Sequence, residues 1–350
     1  MASDDRWLER LRLELAWFTG RPWLGGREAG GAGAILRFQR VRPRRNEPFQ
    51  PLLADEITPE FLDRTLRALK RWKLDIVGMD EVCRRAVTLP EKQRFVALTF
   101  DGTGKDLIDF AYPVLSRHEV PFTVYVPTAF PDGVGEAWRL GLERVIARES
   151  RISLVMERKE QRFVVTSREQ KQALFDHIEG WLRTLPPAEL SAAINDLCRR
   201  HLVDLAALSR QASMDWADLT RLAADPRVTI GSATVNYTAL ATMKDAAASR
   251  EMAMGKAVAE SAFHREVRHF AYPFGDRASF RRNHVVMAEE SGFASAVSAI
   301  PGIVDVEGRT NLRALPRIPW DGRCRSLRVM RVLLSGVAFA PVRPTGAAPG

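Results

Sequence analysis

Short apolar runs alternate with segments of helical period over most of the chain. Ala34–Val41 reads as a buried strand. Thr58–Trp72 reads as a helix, with Leu62, Leu66 and Leu69 on one face, Thr58 as N-cap and Pro59 at the first helical position. Leu74–Val77 (strand) and Met79–Ala86 (helix) follow. Phe95–Phe100 is a strongly apolar strand, Leu107–Arg117 a helix with Asp106 as its N-cap, and Pro121–Val126 a strand. Further on, strands are expected at Arg227–Gly231, Arg268–Tyr272 and Phe293–Ser298. Helices are expected at Lys244–Phe263, Ala278–Ser291 and Leu327–Leu334. Alternation of this kind predicts an α/β fold built on a parallel sheet or barrel.

The alternation stops over residues 131–213, a stretch rich in Arg and Glu that reads as mainly helical, with a hairpin near Ile152–Val165. It is expected to be an insertion on the main body, serving as a lid or substrate wall. Residues 4–19 carry Trp7, Leu8, Leu11, Leu15 and Phe18 at helical spacing, and a Gly-rich link follows. The expected organisation is therefore an amphipathic helix and link over 1–30, a body over 31–340, and a Pro/Gly/Ala-rich disordered tail over 341–350.

Composition narrows the function. With 46% hydrophobic residues in 350, the chain can bury a full core. No run approaches the ~18 apolar residues of a membrane span, and the charged N-terminus is no secretory signal. Cys83, Cys198 and Cys324 form no CxxC pair, which fits a reducing compartment and argues against a structural zinc site. A cytoplasmic location is expected. The net charge of +9 is spread along the chain without a basic, aromatic-interleaved face, so no nucleic-acid partner is expected. Attraction to anionic glycans or membrane surfaces stays open.

The candidate chemistry lies in two motifs. Leu98-Thr99-Phe100-Asp101-Gly102-Thr103-Gly104-Lys105-Asp106 follows one strand, and Thr229-Ile230-Gly231-Ser232-Ala233-Thr234-Val235-Asn236-Tyr237 ends another. Both resemble signatures of polysaccharide deacetylases of the nodulation-protein-B type, where they read T-F-D-D-G and H-[ST]-x-x-H. The resemblance continues through Pro121-Phe122-Thr123-Val124-Tyr125-Val126, Met214-Asp215-Trp216, Phe270-Ala271-Tyr272-Pro273-Phe274-Gly275 and Leu315-Pro316-Arg317-Ile318. It spans roughly residues 33 to 335. It implies a distorted (β/α) barrel of about seven strands, with the site at the C-terminal strand ends.

The resemblance also implies roles. Asp101 matches the general base and the Tyr272 backbone N–H matches an oxyanion donor. Gly102, Ala233 and Tyr237 stand where the family holds zinc with Asp, His and His. A catalytic zinc takes three protein ligands, and two of these side chains offer no donor. Tyr237 would need its phenolate, whose ordinary pKa is near ~10. The late His that acts as acid has no counterpart after His284, and Gln39 replaces a Tyr-His pair. No cofactor is therefore expected, although zinc is usual for the family. Thr103, Gly104 and Lys105 open a helix after a buried strand and form a candidate anion site. The competing reading is a permissive turn filling space left by the metal.

Three functions remain in view. The favoured one is a non-hydrolytic family member that binds N-acetylated oligo- or polysaccharide. The alternative is an active, metal-independent deacetylase hydrolysing the acetamide of an N-acetylated sugar with Asp101 as base. The third is a protein-binding role through residues 4–19 or 131–213.

Overall fold

The computed structural model describes residues 31–339 apart from 89–93, 306–307, 324–325 and 337. The expected N-terminal helix at 4–19, Cys324 and the tail at 341–350 lie outside the described residues.

Eight strands form one parallel sheet, numbered here in chain order. They are β1 (Gly33–Phe38), β2 (Asp75–Val77), β3 (Phe95–Asp101), β4 (Phe122–Val126), β5 (Val228–Ser232), β6 (His269–Ala271), β7 (Ser295–Val297) and β8 (Ile318–Pro319). Seven follow the order β7-β6-β5-β4-β3-β1-β8. β2 and β4 share one edge of β3, β2 pairing at Phe95–Ala97 and β4 at Thr99–Asp101.

One segment brings the sheet back on itself. Leu315 donates its N–H to Ala296 O and accepts from Ser298 N–H on the β7 side, and Trp320 N–H bonds Arg37 O of β1. The sheet thus curls into the distorted (β/α) barrel expected of the chain. Buried on both faces, its strands are apolar almost throughout, as all-parallel sheets require.

Alternation along the strands sorts side chains between two cores. Leu36, Phe38, Leu98, Phe100 and Val124 pack outward against Leu62, Leu66 and Leu69 of the helix Pro59–Arg71. Ile35, Ala97, Tyr125, Ala271, Val297 and Leu315 form the other core, lining the barrel interior. The same parity turns Arg37, Thr99 and Asp101 inward.

Several helices start as their caps dictate. Thr58 Oγ1 accepts from Phe61 N–H at 3.2 Å above Pro59, and Asp215 caps Trp216–Ala223 through Asp218 N–H at 2.8 Å. The helix expected over Ala278–Ser291 begins only at Arg282. The Asp106 expectation is corrected. Its carboxylate accepts Val41 N–H at 2.9 Å and makes no cap bond. The next five residues, Leu107–Ala111, form a wide π-type turn before the α-helix Tyr112–Arg117.

Between residues 131 and 213 lie the helices Trp138–Arg148, Arg168–Leu182, Pro187–Arg200 and Leu205–Ala212, and an antiparallel hairpin of Arg151–Met156 with Lys159–Val164. Leu142, Ile146, Leu154, Phe175, Ile178 and Ile194 give this stretch a core of its own, into which Phe49 and Leu52 from the loop after β1 also pack. Ser167 and Gln170 close a reciprocal capping box at its second helix. Among the described residues, no helix is long and apolar enough to cross a membrane.

Candidate functional site

Asp101 is the last residue of β3, Gly231 the penultimate residue of β5, and Tyr272 follows β6 directly. The two motifs therefore meet at the C-terminal end of the barrel, where α/β barrels build their sites.

What surrounds Asp101 is an ion cluster. Arg317 donates Nη1 to Oδ1 at 2.6 Å and Nη2 to Oδ2 at 2.8 Å, a bidentate fork. Arg37 adds Nε to Oδ2 at 2.6 Å. Arg317 spends its remaining donors on Ser298 O at 2.6 Å and Thr99 Oγ1 at 3.1 Å. The Asp101 side chain is 1% exposed and that of Arg317 0%. Burial alone would raise the Asp101 carboxyl, but Arg317 and Arg37 outweigh it and hold the group below the ordinary carboxylate range. On Arg37 burial opposes the charge, yet Asp101 holds the guanidinium above its ordinary value. The triad carries one net positive charge.

Gly102, Ala233 and Tyr237 stand at the positions that the resemblance matches to metal ligands. Gly102 has φ +90° and donates its N–H to Tyr125 O at 2.9 Å. A Cβ there would meet nothing within 4 Å, but the left-handed backbone disfavours any L side chain. Ala233 is fully buried in the inner core. Tyr237 has φ +55° and packs its ring on that of Phe274, centroids 5.5 Å apart. Burial first, and then the Asp101 charge, push its phenol above the ordinary value. Zinc needs deprotonated donors. A raised phenol beside two guanidiniums, one Gly and one Ala do not fit it. Among the described residues, no group of three or more His, Cys, Asp or Glu could hold a metal.

The Tyr272 N–H, the expected oxyanion donor, is engaged with Val297 O at 3.1 Å. The Tyr272 hydroxyl donates to Arg313 O at 2.7 Å, and its ring stacks on Phe280 at 4.2 Å. Gln39 Nε2 lies 3.4 Å from Asp55, which Arg139 also pairs at 2.9 Å.

The candidate anion loop is held by its backbone. Thr103 O accepts Met214 N–H at 2.7 Å, Gly104 bridges Ser213, and Lys105 Nζ stands 3.5 Å from Asp218. A Cβ on Gly104 would meet Asp106 Oδ1 at 2.5 Å, which accounts for a glycine there.

The 131–213 stretch meets this end of the barrel around Phe274. Trp138 packs on Phe274 at 6.3 Å, Arg183 sits over the same ring at 4.6 Å, and Arg183 also pairs with Asp276. Phe274 thus joins Tyr237 below to the helical stretch above.

Arg37 and Arg317 went unread as site residues. A signal existed, since each is a charge set inside an otherwise apolar run, Ile35-Leu36-Arg37-Phe38 and Leu315-Pro316-Arg317-Ile318. Charges are almost never fully buried unless paired.

Comparison with known proteins agrees with this architecture. The polysaccharide deacetylase family model matches residues 192–294. The Streptococcus pyogenes deacetylase PplD, solved with acetate, is similar in structure with TM-score 0.56 and 15% identity, covering 87% of this chain and 98% of that one. IcaB from Ammonifex degensii follows with TM-score 0.53 and 13% identity, covering 89% and 99%. A de-N-acetylase from Aggregatibacter actinomycetemcomitans has TM-score 0.53 and 12% identity, covering 85% and 98%. No curated protein matches the chain by sequence. The match to the family model is confined to residues 192–294, and what the chain shares with these solved deacetylases is the fold.

Proposed function

We propose that this chain is a non-hydrolytic member of the family, which keeps the barrel to bind N-acetylated glycan and has converted the catalytic centre into structure. The observation that carries the reading is the Arg317–Asp101–Arg37 triad. A general base must present a lone pair to water and gain a proton during the reaction. Three charge-assisted bonds engage both oxygens of Asp101, its side chain is shut from solvent, and its carboxyl is held acidic. Family hydrolysis also needs an electrophile, and a bound metal contributes several kcal/mol of transition-state stabilisation. Gly102, Ala233 and Tyr237 supply no donor set for one.

The metal-independent hydrolase fares worse on the same geometry. It would require a free Asp101 and a free Tyr272 N–H, and the second is spent on Val297 O. In this reading residues 131–213 act as a fixed roof that leaves glycan contacts to the outer surface of the barrel mouth. The free Cys83 and Cys198 accord with a reducing, cytoplasmic setting.

Incubation with N-acetylglucosamine oligomers plus zinc or cobalt, followed by acetate determination, tests the proposal. No acetate above the buffer control is expected, while saturation-transfer NMR should register the acetamide methyl groups of bound oligomer. Turnover that survives chelator and vanishes in Asp101→Asn would establish the hydrolase instead.

A further inference from the structure

A basic cavity lies apart from the Arg317–Asp101–Arg37 cluster. The loop after β1, the turn after β3 and the helix Trp138–Arg148 enclose a cavity of about 760 Å³. Ligand sites typically occupy ~300–1,000 Å³, enough for a drug- or disaccharide-sized molecule. Six arginines and Lys105 line it, against Glu47, Asp106 and Glu143.

Each of these carboxylates has a partner of its own, Glu143 through one oxygen only. Glu143 accepts from Arg45 at 2.8 Å, Glu47 lies 3.6 Å from the same guanidinium, and Asp106 accepts Val41 N–H. Arg42 is paired to Glu56 at 3.4 Å. Its guanidinium is nevertheless held below the ordinary value, first by burial and then, against the pull of Glu56, by Arg45 and Arg40. Four cations, Arg40, Arg44, Arg144 and Arg148, have no carboxylate within ion-pair distance among the described residues.

Their placement works against the fold. Arg144 and Arg148 stand one turn apart on a single helix, where like charges at this spacing cost a few tenths of a kcal/mol. Arg40 and Arg44, from the segment after β1, line the same cavity. Several guanidiniums turned onto one concave space are the arrangement that takes phosphate oxygens in bidentate fashion. Phe110, an aromatic 38% exposed, also lines the cavity and offers an apolar face on which a sugar ring can lie.

We propose that this cavity binds a phosphorylated sugar, with the phosphate held by Arg40, Arg44, Arg144 and Arg148 and the sugar ring on Phe110. The sugar part rests on the glycan-binding reading above; the phosphate part rests on the cavity alone.

Isothermal titration of the full chain tests it with four probes: inorganic pyrophosphate, N-acetylglucosamine 1-phosphate, glucuronic acid and neutral chitotriose. N-acetylglucosamine 1-phosphate should bind at least tenfold more tightly than chitotriose or glucuronic acid, weakening as salt is raised. Arg144→Glu/Arg148→Glu, two exposed positions whose change leaves the core intact, should lose at least tenfold for both phosphate probes. Phe110→Ala should weaken the sugar phosphate severalfold and leave pyrophosphate unchanged. Equal affinity of wild type and the double variant for pyrophosphate, or no binding of either phosphate probe at millimolar concentration, overturns the proposal. Glucuronic acid matching the sugar phosphate makes the site one for carboxylates and overturns it too. Chitotriose binding without phosphate preference would sink this inference and leave the glycan reading standing. Pyrophosphate binding without any sugar effect, and with chitotriose silent, overturns the sugar assignment and counts against the glycan reading itself.

Discussion

Replacing Asp101 by Asn separates a structural carboxylate from a catalytic one. The side chain is isosteric, so the perturbation is the loss of one negative charge between two guanidiniums. Arg317 is fully buried and Arg37 nearly so. With Asp101 neutral, two positive charges face each other in the barrel interior and three charge-assisted bonds weaken. Removing one partner of a buried pair costs about 3–5 kcal/mol, because the other charge is left uncompensated. Unfolding entropy near ~2.1 cal/mol/K per residue, over the roughly 300 ordered residues, converts this to a melting-temperature drop of about 5–8 °C. Scanning calorimetry reads it directly. A full replacement, Asp101→Leu with Arg37→Met and Arg317→Met, should recover most of the loss, since apolar side chains of similar volume substitute well for buried ion clusters. An Asp101→Asn melting temperature within about 1 °C of wild type would refute the reasoning, because a carboxylate poised for catalysis is the kind whose removal leaves stability unchanged or improved.

The remaining predictions draw on the same contacts. The Asp101 carboxyl is depressed in the folded state, so its stabilisation is fully present above the unfolded carboxylate pKa of ~3.9 and is lost as pH falls through the lower folded value. Urea midpoints of wild type and Asp101→Asn should accordingly converge below about pH 4 and stay apart from pH 5 to 7. Phe274→Ala removes the ring that Trp138, Tyr237 and Arg183 share, which should cost about 2–4 kcal/mol and raise hydrogen exchange across 131–213; unchanged exchange there would show that the stretch is held by other contacts. The reversion Gly102→Asp/Ala233→His/Tyr237→His should still fail to hold cobalt by its visible absorption. Adding Arg37→Met and Arg317→Met should permit binding, because the guanidiniums then no longer oppose the cation. Cys198 is buried, and desolvation pushes its thiol up to about 11, so it should react with Ellman's reagent only after denaturant is added.

The barrel was legible because local rules and tertiary packing agree. Thr58 and Pro59 announced a helix that begins where they stand. Leu327–Leu334 has both expected ends, with Ser326 accepting Val329 N–H at 3.5 Å. Expectation and structure part where a side chain serves a distant partner. Asp106 looked like a cap, yet its carboxylate is drawn to Val41, 65 residues away. Arg317 and Asp101 are 216 residues apart, so their pairing is a property of the closed sheet and invisible to any window along the chain. The departures of Gly102, Ala233 and Tyr237 from the motifs they resemble can be read off the sequence. That both arginines share one carboxylate cannot, because a charge in an apolar segment shows that it needs a partner but not which distant residue supplies it.

Gly102, Ala233 and Tyr237 are proposed to leave the chain without a donor set for zinc. Zinc titration of the purified chain, followed by dialysis and elemental analysis, tests it most directly. Well below one equivalent of zinc per chain is expected, with no difference between wild type and Tyr237→Phe. One tightly held zinc per chain, lost on Asp101→Asn or Tyr237→Phe, would contradict it.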